Sequence, residues 1–152
     1  MTEHWQQVIV TPEFGNGQLT TGNRIIYELA DNYSIAAMLK DILHKFIVID
    51  GVTSVHLIRD DGEVVDGLET GDIDDNQLAA VVSFVMAESK AMALKLCNDP
   101  LTMVYLEFRD YLLLSSPLTG QLFIVIIVKP SANIALVMAE LKKNRDTIIQ
   151  QL

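Results

Sequence analysis

A chain of 152 residues, half of them apolar and with a net charge of −9, has room for one sizeable core but not for two comfortable domains. Its longest apolar run, Leu122 to Val128, falls far short of the roughly 20 residues a membrane span needs, and one cysteine, Cys97, excludes an internal disulfide framework. Positive mean hydropathy argues against disorder for the bulk of the chain. Glu3 stands near the start with no basic cluster and no signal-like apolar run, so the expected location is the cytoplasm.

Residues 1–32 read as a poorly defined N-terminal arm, and 33–152 as the folded domain. The stretch EFGNGQLTTGN has three glycines and no lasting periodicity, as in a loop. Two short apolar pieces, VIV at 8–10 and IIYEL at 25–29, suit an edge strand, a helical turn or docking on a partner equally well.

The first clear helix is expected from Tyr33 to Val48, with Ser34 as N-cap and Asp50-Gly51 as its stop. Ile35, Met38, Leu39, Ile42, Leu43, Phe46 and Ile47 recur at the spacing of one helical face. Two β-branched runs then flank Asp61-Gly62, a hairpin signal because glycine accepts a positive φ without steric cost.

Residues 76–97, NQLAAVVSFVMAESKAMALKLC, follow as a long helix that is apolar almost all round. One broad face collects Leu78, Val81, Val82, Val85, Met86, Met92, Ala93 and Leu96, and the other Ala80, Phe84, Ala87, Ala91 and Leu94. A helix without a wet side is buried on both. The domain's own sheet accounts for one side, and a second protein chain is expected on the other.

Three strand-like runs at 102–108, 111–116 and 121–128 come next, broken at Arg109-Asp110 and between Pro117 and Gly120. The third is apolar at every position from Leu122 to Val128, as for a strand covered on both faces. A last helix at 132–151 carries one stripe of Ile134, Met138, Leu141 and Ile148, continued by Leu152. The order α-β-β-α-β-β-β-α predicts an α/β fold. Its five-stranded antiparallel sheet would lie in a three-layer α-β-α sandwich, the central helix on one face and the outer helices on the other.

Signals for chemistry are weak. Between Asp60 and Asp75 lie eight carboxylates and no basic residue, a surface that repels nucleic acid phosphates. Lys142, Lys143 and Arg145 suit the C-terminal half of a helix. GNGQLT at 15–20 lacks the third glycine of a phosphate loop, and no GxxxxGK[ST] occurs. A calcium loop starting at Asp66 fails at Leu68 and Gln77. His4, His44 and His56 are not spaced as a zinc set, no serine sits in a GxSxG elbow, and Cys97 reads as a buried small hydrophobe. The expectation is therefore no catalytic residue, no cofactor and no metal.

Several features together resemble the Roadblock family, the group that includes the dynein roadblock-type light chain and bacterial and archaeal small-GTPase regulators. The first helix ends in Ile49-Asp50-Gly51-Val52, and the following hairpin turns at Asp61-Gly62. Leu78-Ala79-Ala80 opens the long helix. YLEF and YLLLSSPL lead into LFIVIIV, and Asn133 precedes the last helix. One departure is Arg109-Asp110 in a hairpin where the family often has glycine. The resemblance covers about 35–152 and implies a profilin-like roadblock fold.

It also implies a non-enzymatic homodimer. The central helices of two protomers would pack antiparallel, and their third strands would pair into one continuous sheet. On that reading Ala80, Phe84, Ala87, Ala91, Leu94, Met103 and Tyr105 form the dimer interface, and Ser83, Glu88, Lys90 and Lys95 form a rim for a Ras-like small GTPase in signalling, polarity or motility. Arg59 and Arg109 are exposed arginines whose ordinary role is a surface salt bridge. Two alternatives remain: a structural adaptor light chain of a motor or other complex, and a small-molecule sensor with a pocket beside its sheet. No nucleic acid and no membrane insertion are expected.

Overall fold

A computed structural model describes residues 36–69, 71 and 73–151. The arm at 1–32, the boundary after it, and Tyr33, Ser34, Ile35 and Leu152 lie outside the described residues. Ala37–Leu152 forms one compact unit.

Helix α1 spans 36–47. Its face at Leu39, Ile42, Leu43 and Phe46 is buried, matching the apolar spacing, and His44 on the opposite side is exposed. Strand β1 (Val52–Arg59) turns back into β2 (Val64–Glu69), and Gly62 takes the positive φ of +87° that the turn requires. Helix α2 runs over Asp75–Cys97. Strands β3 (Val104–Glu107), β4 (Leu112–Pro117) and β5 (Leu122–Val128) complete the sheet, and helix α3 (Ile134–Gln151) ends the fold.

The order α-β-β-α-β-β-β-α agrees with the sequence. The strands form one sheet in the order β2-β1-β5-β4-β3, every pair antiparallel. β5 lies at the centre and is buried at all seven positions, as its unbroken apolar run requires. β3 is an edge strand and is shorter than the run of apolar residues suggests, with four residues paired. The β3–β4 turn closes without glycine. The Phe108 N–H donates to the Tyr111 carbonyl at 2.8 Å, and Arg109 and Asp110 keep ordinary negative φ.

Register assigns each side chain to a face. Gly67, His56, Val125, Ser115 and Val104 form one cross-sheet row facing α2, and Glu69, Ser54, Ile127, Leu113 and Leu106 form the next. Leu68, Val55, Ile126, Leu114 and Tyr105 point the other way. That second face is closed by α1 and α3. α3 contributes Val137, Leu141 and Ile148 at helical spacing, and Asn133 caps it by accepting the Leu136 N–H at 3.1 Å. Asn144, a buried polar residue of α3, accepts from Lys45 Nζ at 3.3 Å and donates to Glu140.

Candidate functional site

α2 begins where its local chemistry dictates. Asp74 accepts the backbone N–H groups of Asn76 and Gln77 at 3.0 and 3.1 Å, satisfying two donors that the first turn leaves without partners. At the other end Asn98 takes a left-handed conformation, and its N–H bonds to the Leu94 carbonyl at 3.1 Å.

Between these caps only Ala79, Val82 and Met86 are buried. They rest on Ile58, Leu113, Phe123, Val125 and Ile127 of the sheet. The sheet-facing stripe therefore differs from the one read in the sequence, because Val81, Met92 and Leu96 point outward. A helix that is apolar all round offers no periodic contrast to show which side turns inward. The sheet selects the line with the small Ala79, which lets the backbone approach closely.

The second apolar line is bare. Ala80, Phe84, Ala87, Ala91 and Leu94 are all exposed, Phe84 at 68% and Leu94 at 59%. Their spacing alternates four and three residues, the repeat that keeps one seam facing a partner helix over several turns. The last turn is exposed on every side, and Cys97 is exposed there rather than buried as the sequence suggests.

The strand residues of the expected interface are placed differently. Met103 is half-buried just before β3, and Tyr105 is 47% exposed on the face opposite α2. On β3 it is Val104 and Leu106, not the Tyr105 ring, that face α2. An apolar groove of about 510 Å³ separates α2 from this strand, lined among others by Leu78, Val81, Val85, Leu106, Phe108 and Tyr111.

The four rim residues are not equivalent. Ser83 donates its hydroxyl to the Ala79 carbonyl, and Lys90 binds Asp60 at 3.1 Å, so both tie α2 to itself or to the β1–β2 turn. Glu88 and Lys95 are exposed. The turn itself is organised by Arg59, which binds Asp61 at 2.9 Å and also pairs with Glu63. The Arg59 guanidinium donates to the Asp61 carboxylate, a bond that raises the Arg59 pKa and holds the Asp61 carboxyl below its usual range. Arg59 is thus engaged, as surface arginines usually are.

One grouping is not legible from spacing. His56 of β1, Glu69 of β2 and Asp75 of α2 converge where the hairpin meets the start of α2. No helix among the described residues is long and apolar enough to cross a membrane.

A five-stranded antiparallel sheet between helices, in the order α-β-β-α-β-β-β-α, defines a profilin-like roadblock fold. The Roadblock/LC7 domain matches residues 28–128, and the chain belongs to that family. Solved structures with the same fold include MglB of Myxococcus xanthus, with a TM-score of 0.67 and 17% identity over 72% of this chain and 90% of that one. The gliding protein MglB from Thermus thermophilus has a TM-score of 0.68 and 18% identity over 78% and 89%. An MglB with a tetrameric arrangement has a TM-score of 0.71 and 16% identity over 77% and 89%. No curated protein sequence matches the chain.

Proposed function

We propose that this chain is a non-enzymatic homodimeric regulator or scaffold whose paired α2 helices receive a Ras-like small GTPase. One observation carries the reading: the bare seam of Ala80, Phe84, Ala87, Ala91 and Leu94 on a helix whose other side already holds the core. Leaving Phe84 and Leu94 wet forgoes about 1.5–3 kcal/mol each, so a partner that covers them gains that much. The three alanines permit close approach of two such helices, and β3 is a sheet edge with no strand across its outer side among the described residues. Met103 and Tyr105 would then flank the joint. Membership of the Roadblock/LC7 family supports a two-fold pairing of this kind, and the fold shared with MglB, including the tetrameric arrangement, supports self-association and a small-GTPase pathway.

The GTPase would sit on the helix pair, with Glu88 and Lys95 as the charged groups free to meet it and Ser83 and Lys90 fixing the surface from beneath. Any effect on nucleotide hydrolysis would come from positioning the partner's own residues.

Phe84→Asp places a charge in the seam and should convert the dimer to monomers in sedimentation velocity; a variant that stays dimeric and folded would sink the proposal. Affinity capture from native lysate, with and without a GTP analogue, tests the second half. Nucleotide-dependent recovery of a small GTPase, weakened by reversing the charges of Glu88 and Lys95, supports the regulator. Recovery of a motor subunit regardless of nucleotide favours the adaptor reading.

A further inference from the structure

The side of the sheet facing α2 holds a histidine that the fold leaves without a partner. His56 is 1% exposed, and neither ring nitrogen has a hydrogen-bond partner. The ring leans across Gly67, the residue opposite it on β2, and a Cβ at that glycine would lie 2.6 Å from Nδ1. A side chain there would displace the ring. Gly67 thus lets the imidazole reach toward the β2 edge and the first turn of α2.

At that end stands Asp75, its Oδ1 buried, without a hydrogen bond and 3.6 Å from His56 Nδ1. Glu69 approaches the same point, and one donor atom from each of the three residues lies within 4.8 Å of the others. We propose that His56, Glu69 and Asp75 bind one divalent transition-metal ion of the zinc class, through His56 Nδ1 and the two carboxylates, with water completing the shell.

The distances favour an ion over a direct contact. At 3.6 Å the His56–Asp75 pair is too far apart for a hydrogen bond. Bonds of about 2.0–2.1 Å to a tetrahedral ion would put neighbouring ligand atoms about 3.4 Å apart, close to the 3.6 Å between His56 Nδ1 and Asp75 Oδ1, and Glu69 lies within 4.8 Å of both. The donor types fit as well, because a borderline divalent ion accepts carboxylate oxygens beside an imidazole nitrogen. Burial lowers the His56 pKa, against the opposing pull of Asp75, so the ring is neutral near pH 7 and its lone pair is available. The Asp75 side chain is 42% exposed and Glu69 is exposed, giving the ion a route in and water a place to bind.

An imidazole with two carboxylates and no thiolate suits zinc, cobalt or manganese better than copper(I), and the nitrogen donor disfavours calcium and magnesium. The ion would clip β1, β2 and the start of α2 together. It would thereby set the angle at which α2 presents its exposed seam.

The test uses the full chain, stripped with a chelator and titrated with Zn²⁺ against a chromophoric indicator. The His56 ring nitrogens are followed by NMR and the melting temperature by calorimetry. One ion per chain, displacement of the Nδ1 resonance, and a Tm rise of several degrees at about a hundredfold excess over Kd are expected. Glu69→Gln and Asp75→Asn keep side-chain shape outside the core, so they report on the site even where a His56 variant fails to fold. Each should weaken binding by at least about tenfold. Combined replacement of Cys97 by Ser and of His4 and His44 by Ala should leave binding intact. The proposal is overturned by absent saturable uptake, or by uptake that Glu69→Gln and Asp75→Asn leave unchanged.

Discussion

The two faces of the sheet are finished differently. Toward α1 and α3 the rows of Val55, Leu57, Leu114, Ile124 and Ile126 are buried with Leu43, Phe46, Val137, Leu141 and Ile148. The buried polar side chain there, Asn144, is held by Lys45 and Glu140. Toward α2 the sheet holds Ser54, His56 and Ser115 with unpartnered polar atoms, and the helix above them buries three residues and leaves a second apolar line in solvent. The closed face makes the fold. The open face is where the chain has apolar surface and polar capacity to spend on something other than itself.

The contrast is easiest to break with phenylalanines. Phe46 is fully buried under the closed face, so Phe46→Ala should cost about 3–5 kcal/mol in urea denaturation. Phe84→Ala, measured where the protein is monomeric, should change folding stability by less than about 0.5 kcal/mol, because its ring touches little within the protomer. Equal costs would mean that the open face is as much a part of the core as the closed one.

Acid should act through the open face. Burial holds the folded His56 pKa below its ordinary value of 6.5, whereas the unfolded chain takes up the proton at about 6.5. Above pH 6.5 both states carry a neutral ring, and His56 adds no pH dependence. As pH falls from 6.5 toward the folded pKa, protons stabilise the unfolded state, by up to about 1.4 kcal/mol per pH unit for this one group. Denaturation in chelator across this window should show the slope, and His56→Leu should flatten it. An unchanged slope in the variant assigns the acid sensitivity elsewhere.

A smaller effect separates the two ends of α2. Asp74→Ala removes the cap and should cost about 1 kcal/mol, with faster amide exchange confined to the first turn. Exchange that quickens along the whole helix would show that its exposed C-terminal half depends on the cap as well.

Much of the architecture is legible because period alone specifies it. The spacing at Leu39, Ile42, Leu43 and Phe46, the Asp61-Gly62 turn and the unbroken β5 run each admit one structural answer. Apolar pattern overextends β3 because an edge strand stops where its partner does, which only pairing shows. The orientation of α2 is hidden by the same grease that makes the helix conspicuous. Convergence of His56, Glu69 and Asp75 depends on hairpin register and on where α2 starts, so no local spacing signals it. Lys90 reads as a free charge on the helix and is held by Asp60, a residue far away in sequence.

The sheet's two margins differ in what they offer another strand. β2 carries Asp66 and Glu69, and its ladder with β1 is interrupted by an irregularity between Leu57 and Ile58. Charge and bulge together discourage another strand from adding there. β3 is short and regular, with nothing across its outer side among the described residues. Growth by strand addition through β3 would consume the one receptive margin of each chain and leave only guarded ones. Such a joint is self-terminating: it yields a closed pair and cannot propagate into a fibre.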